Sequence, residues 1–208
     1  MSTGKPGKDA TVGRPVDHER RAELLDAVVD YTVEHGFSDV SWRTVAAALG
    51  VSPTSLVHHF GAKEQMLEAI VWRLRERLLV AARDALGEQP DLATQARVAW
   101  AMTSDPRRSA ELKLFFAVYG HALQAPKQFS HFLGHVVSDW MAILCDAQGP
   151  KVDPASAKRK ATLVIATLRG LLLDLFATGE RERVQEVAEE FIASLEHHAA
   201  DRLPSMKR

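Results

Sequence analysis

Apolar and small residues recur at helical spacing over residues 42–49, Gly50 stops that run, and Ser52 followed by Pro53 begins another. Upstream, over residues 17–35, Leu24, Leu25, Val28, Val29 and Thr32 fall on one helical face, and Gly36 ends the helix before Phe37. That face, with Phe37, Val40, Val45 and Leu49, predicts a small core. A longer helix is expected over residues 63–86, with Met66, Leu67, Ile70, Val71, Leu74 and Leu78 at periodic positions, before residues 87–90 break it. Further breakers at Pro106, Pro126, residues 149–154 and Gly179 divide the remainder into about five helices, over residues 91–103, 106–123, 127–148, 154–178 and 181–200. The segment TLVIATLRGLLLDLF is apolar almost all round and needs cover on several sides, while the last helix carries one stripe of Val184, Val187, Ala188, Phe191, Ile192 and Leu195.

The two short helices at 42–49 and 53–59 meet at a tight turn and read as a helix-turn-helix. Ser52 suits the N-cap because its hydroxyl accepts from an orphan backbone N–H, and Pro53 suits the first helical position because its missing N–H costs nothing there. Burying Leu56 and Phe60 leaves Thr54, Ser55, Val57, His58 and His59 facing outward, a short face fit for a DNA major groove. At the next helix start, Ala62 replaces an oxygen-bearing cap and Lys63 puts a cation at the positive end of the dipole. Both are unfavourable for an isolated helix and favourable if a phosphate binds there, although a solvated Lys63 offset by Glu64 is the plain alternative. Trp42 is either a packing residue or a plate against a sugar-phosphate edge.

Composition changes this picture little. The chain has 208 residues, 46% hydrophobic and 25% charged, with a net charge of −1. Seven Lys/Arg against eight Asp/Glu up to residue 63 mean that a DNA reader must segregate its charges, and Arg43, His58, His59 and Lys63 do bracket the second short helix. Residues 1–16 form a basic tail, either a solubilising leader or an arm whose Arg14 reaches a minor groove. The single cysteine, Cys145, excludes an internal disulfide and is expected to be a buried thiol, with redox sensing the alternative. No run of about 18 uninterrupted apolar residues occurs and no signal-peptide core is seen, so a cytoplasmic location and no membrane partner are expected.

From RRAELLDAVVDYTVEHGFSDVSWRTVAAALGVS through PTSLVHHF to GAKEQMLEAI, order and spacing resemble the tetracycline-repressor (TetR) family of bacterial transcription regulators. Thr54 and Val57 depart from the Gly and Tyr usual in that pattern. The resemblance is specific over the first quarter to third of the chain and architectural beyond it. It implies an all-α fold: an N-terminal three-helix helix-turn-helix DNA-binding domain (residues 17–62, after a flexible arm at 1–16) plus a C-terminal helical bundle for ligand binding and dimerisation (63–208). The implied function is a homodimeric repressor on a palindromic double-stranded DNA operator, released by a small-molecule effector through the long connecting helix. Candidate DNA-binding residues are Arg14, Arg43, Thr44, Ser52, Pro53, Thr54, Ser55, Val57, His58, His59 and Lys63. Candidate effector-binding residues are Trp100, Phe115, Phe116, Tyr119, Trp140, Leu144, Arg169 and Phe176. The last two helices, paired with their copies, would form a four-helix dimer seam through Leu163, Ala166, Gly170, Val184, Val187, Phe191, Ile192 and Leu195.

Arg169, inside the apolar run, either snorkels to a carboxylate such as Asp174 or Glu111 or faces the cavity and pairs with an acidic effector. His131 and His135 have helical spacing for a shared metal, but ordinary histidines are the stronger reading, His197 and His198 are weaker still, and no metal or cofactor is expected. An all-helical enzyme is the rival reading. The chain has no glycine-rich phosphate cradle, Cys-x-x-Cys, His-Glu-x-x-His or nucleophile-elbow pattern to support it.

Overall fold

The computed structural model describes residues 18–36, 41–85 and 91–200, without the side chains of 83–85 and 197–200. The expectations for the arm with Arg14, for Phe37 and Val40, for the break at 87–90, and for the side chains of His197 and His198 lie outside the described residues. Every regular element described is helical: α1 (His18–His35), α2 (Trp42–Leu49), α3 (Pro53–Phe60), α4 (Lys63–Ala85), α5 (Leu92–Thr103), a 3-10 turn (Pro106–Arg108), α6 (Ser109–Gln124), α7 (Ser130–His135), α8 (Ser138–Asp146), α9 (Pro154–Thr178) and α10 (Arg181–Ala200).

The apolar periodicity becomes two hydrophobic clusters. The first joins Leu24, Val28 and Val29 of α1, Val45 of α2 and Leu56 and Phe60 of α3 to Met66, Leu67 and Ile70 of α4. It continues without interruption into Phe115 and Val118 of α6 and Phe132 of α7. The second gathers Ala96 and Trp100 of α5, Val164, Leu168 and Leu172 of α9, and Val184, Ala188 and Ile192 of α10. Helix α4 therefore shares the core of the first three helices as well as bridging from them. An ion cluster adds to that attachment: Arg73 binds Asp26 of α1 with two hydrogen bonds (2.8 and 2.7 Å), and Arg77 reaches Asp26 (2.7 Å) and Asp30 (2.9 Å). Flanked by two guanidinium groups, the Asp26 carboxyl is held down at about 2.

Two segments differ from the expected helices. Residues 106–108 form a 3-10 turn capped by Asp105, and α6 starts only at Ser109. The single helix expected over 127–148 is instead α7 and α8, interrupted at Val136 and Val137. The interruption frees backbone carbonyls that other groups then satisfy. Ser138 Oγ (2.7 Å) and Arg75 (3.3 Å) donate to the His135 carbonyl, and Arg169 donates to that of Val136 (3.1 Å). Side chains from α4 and α9, distant in sequence, thus hold the break open, which a local apolar period cannot reveal.

Helix α9 is long and apolar enough to cross a membrane by length and composition alone. Its inner face, Ala157, Ala161, Val164, Leu168, Leu172 and Leu175, is buried against the helices around it. Its outer face leaves Leu163 54% and Leu173 50% exposed, beside Ala166 and Gly170.

Candidate nucleic-acid interface and ligand cavity

The helix-turn-helix is fixed by its caps. At the start of α2, Ser41 and Thr44 form a reciprocal capping box, each side chain bonded to the other's backbone N–H (3.2 and 3.1 Å). Gly50, left-handed at φ 63°, closes α2, and the Val51 N–H returns to the Ala46 carbonyl at 3.0 Å. Ser52 Oγ then accepts from the Ser55 N–H at 3.1 Å, with Pro53 in the first turn of α3. Leu56 and Phe60 face inward, and the Trp42 ring stacks on Phe60 at 6.5 Å, so Trp42 is a packing residue here.

On the outer side, Arg43, Pro53, Thr54 and Val57 line one shallow surface concavity with Ser41 and Trp42. Val57 is 45% exposed, and Thr54, His58 and Lys63 are also exposed. Four candidates behave differently. The hydroxyls of Thr44 and Ser52 serve as caps. His59, expected to face outward, is half-buried: its Nδ1 is buried with no hydrogen-bond partner, and its carbonyl accepts from Arg21 (3.1 Å). Each residue of a helix turns by 100°, and the step from His58 to His59 carries the second ring from the exposed side toward α1. Ser55 is half-buried. At the start of α4, Gln65 Oε1 accepts from the Ala62 N–H (2.8 Å), the returning half of a capping box, while the acceptor that an oxygen-bearing residue 62 would offer to the first-turn N–H groups is still missing.

A cavity of about 80 Å³ lies among α4, α5, α6, α8 and α9. Phe115, Phe116, Trp140, Leu144 and Arg169, all among the candidate effector-binding residues, line it. Arg75 and Leu78 of α4 line it too, residues that an apolar-period argument assigns to a connecting helix and not to a binding wall. Three expected residues stand elsewhere. Trp100 is a core residue whose Nε1 donates to Gln185 Oε1 (2.8 Å). Phe176 packs on Phe116 at 6.3 Å under the Lys113 ammonium. Tyr119 lies behind Arg169, whose guanidinium sits 5.6 Å from its ring centre.

Arg169 pairs with neither proposed carboxylate, because Asp174 is bound by Arg183 and Glu111 lies beside Arg108 and Arg77. Burial pushes its pKa down, opposed only by Tyr119. Arg75 is 8% exposed, pairs with Asp139, and is likewise pushed down by burial, with Asp139 opposing. Arg75 and Asp139 also line a groove on the outer surface, so this ion pair separates cavity from solvent.

Against known proteins, the family model described as "Bacterial regulatory proteins, tetR family" matches residues 24–70. The HTH-type transcriptional regulator UidR of Escherichia coli is 32% identical over 66 residues, 32% of this chain and 34% of that protein, so the chain covers about a third of UidR. The HTH-type transcriptional regulator BetI of Burkholderia thailandensis is 30% identical over 159 residues, 74% of this chain and 80% of that protein. The chain belongs to the TetR family. Among solved structures, a transcriptional regulator from Rhodococcus sp. RHA1 superposes with a TM-score of 0.70 at 23% identity, covering 84% of this chain and 94% of that one, which shows the shared fold. GusR of Salmonella enterica gives 0.59 at 25% identity, over 89% and 98%.

Within this TetR chain the expected seam residues divide in two. Leu163, Ala166, Gly170 and Val187 are exposed, and Phe191 and Leu195 are half-buried. Val184 and Ile192 are 0% exposed inside the second cluster, which removes them from any surface seam. The α10 stripe covers a wider arc than one interface needs, and its centre packs on the chain's own α5 and α9. His131 Nδ1 lies 3.2 Å from Glu68 of α4, a carboxylate that helical spacing could not reveal, and His135 Nδ1 bonds the His131 carbonyl (2.8 Å). Cys145 is half-buried.

Proposed function

We propose that this TetR-family chain is a cytoplasmic, effector-responsive repressor that binds a palindromic operator as a homodimer. The observation that carries this reading is the dual role of α4. Its first residue, Lys63, stands exposed beside the outer face of α3, and its Arg75 and Leu78 form the wall of the apolar cavity. A ligand that alters the cavity wall acts on the helix that carries the reading head, and needs only different affinities for two positions of α4 to change DNA binding. The exposed apolar strip of Leu163, Leu173 and Val187, with small Ala166 and Gly170 between, supports pairing of α9 and α10 with their copies. Two-fold pairing presents two α3 helices to half-sites about 34–36 Å apart, or somewhat more for a longer site.

Electrophoretic mobility shift with DNA from upstream of the protein's own gene tests the reading. Retardation that survives excess unrelated DNA, at a stoichiometry of two chains per site, is expected. Retardation abolished equally by any DNA would overturn it.

A further inference from the structure

The cavity joins two features that oppose each other. Its wall is mostly aliphatic and aromatic, including Leu78, Phe115, Trp140 and Leu168, yet two guanidinium groups, those of Arg75 and Arg169, stand in it. They lie close together, because they donate to the carbonyls of consecutive residues, His135 and Val136. A guanidinium keeps its charge at any physiological pH, and neutral carbonyls offset none of it. Asp139 is the one carboxylate paired to either among the described residues, and it serves Arg75 from the solvent side. The Nε of Arg75 is buried without a hydrogen-bond partner. Two cations against one anion leave one positive charge uncompensated in an apolar chamber, an arrangement that is unfavourable until an anion enters.

We propose that the effector is a small organic monocarboxylate, its carboxylate seated on Arg169 at the α7–α8 break and its apolar body against Phe115, Trp140 and Leu168. This rests on reading the cavity as the effector site. The forked donors of arginine suit a carboxylate, which adds direction to the charge attraction. A volume of about 80 Å³ is smaller than the ~150 Å³ that houses a benzene ring, so a single ring or short carbon chain enters only as the wall yields, and a polycyclic ligand is excluded. An organic cation of the same shape meets repulsion from both arginines. The carboxylate also competes with Asp139 for Arg75, and loosening that pair frees α4 from α8, the link that would carry occupancy to the reading head.

Calorimetric titration of the full chain with matched acid, amide and amine series tests this: phenylacetate, phenylacetamide and phenethylamine, then hexanoate, hexanamide and hexylamine. In at least one series the acid is expected to bind at least about tenfold tighter than its amide, with the amine weaker still. Arg169→Gln should bring acid and amide to within about threefold, while Arg169→Lys keeps part of the preference. Amide or amine binding as tightly as acid in both series in the wild-type chain overturns the proposal. So does an acid preference undiminished in Arg169→Gln, or no binding by either acid up to about 1 mM. If Arg169→Gln does not fold, the wild-type comparison still decides. An acid that binds through Arg169 but leaves operator retardation unchanged defeats the effector reading alone; an amide or amine that releases DNA defeats the ligand class alone.

Discussion

Gly61 joins α3 to α4 at φ 74°, and a Cβ there would lie 1.9 Å from the Gln65 Oε1 that caps Ala62. Alanine is therefore strained twice, in its backbone and against a working cap. Gly61→Ala should lower stability by about 1–3 kcal/mol in urea unfolding, more than the loss of the cap alone in Gln65→Ala, about 1 kcal/mol. Neighbouring side chains on the outer face differ in what they can report. Lys63→Ala should weaken binding to all DNA sequences alike and lower the salt dependence by about one unit, as loss of one phosphate contact does. Thr54→Ala or His58→Ala should instead change which sequences are preferred, read by selection from a randomised DNA pool. The Gln65 cap is also where local reading stops short: the chain shows an Ala at a cap position, but whether a side chain three residues later folds back on it depends on the rotamer adopted.

At the scale of elements, the breakers of α2, α3, α9 and α10 and the cap of α3 were legible because each is written locally: Gly50, Ser52 with Pro53, residues 149–154, and Gly179. The α7–α8 break was not, since residues on α4 and α9 satisfy the carbonyls that it frees. The same limit applied to the cavity, whose aromatic lining on α6 and α8 was foreseen while its α4 wall was not. Helix α10 shows why a stripe is not an interface. Val184 and Val187 are three residues apart, yet one is 0% and the other 42% exposed. A charge at Leu163, on the exposed side of α9, should dissociate the proposed dimer in sedimentation and leave the protomer's melting nearly unchanged. Val184→Glu should unfold the protomer, at a cost of about 3–5 kcal/mol, because an unpaired carboxylate would enter the second cluster. An intact dimer in Leu163→Glu would refute the proposed seam.

Across the whole molecule, α1 is bound to α4 by shared core and by the carboxylates of Asp26 and Asp30 under Arg73 and Arg77. Asp26 falls on folding from 3.8 to about 2 because two guanidinium groups hydrogen-bond its ionised form. A carboxyl depressed in this way stabilises the fold above its unfolded pKa, so the contribution is complete above about pH 4 and is lost as pH falls toward about 2. Acid titration of thermal stability should therefore show a drop in that window that Asp26→Asn lacks, and high salt should shrink the difference because the cluster is partly exposed.

That the first hydrophobic cluster runs from Leu24 through Phe60 into Met66, Leu67 and Ile70 has a consequence for building chimeric regulators. A graft cut at the α3–α4 junction would strip Leu56 and Phe60 of the surface that covers them, and the transplanted head would arrive half-dressed. The transferable module includes the first two turns of α4, and the stretch matched to the family, residues 24–70, ends after those turns.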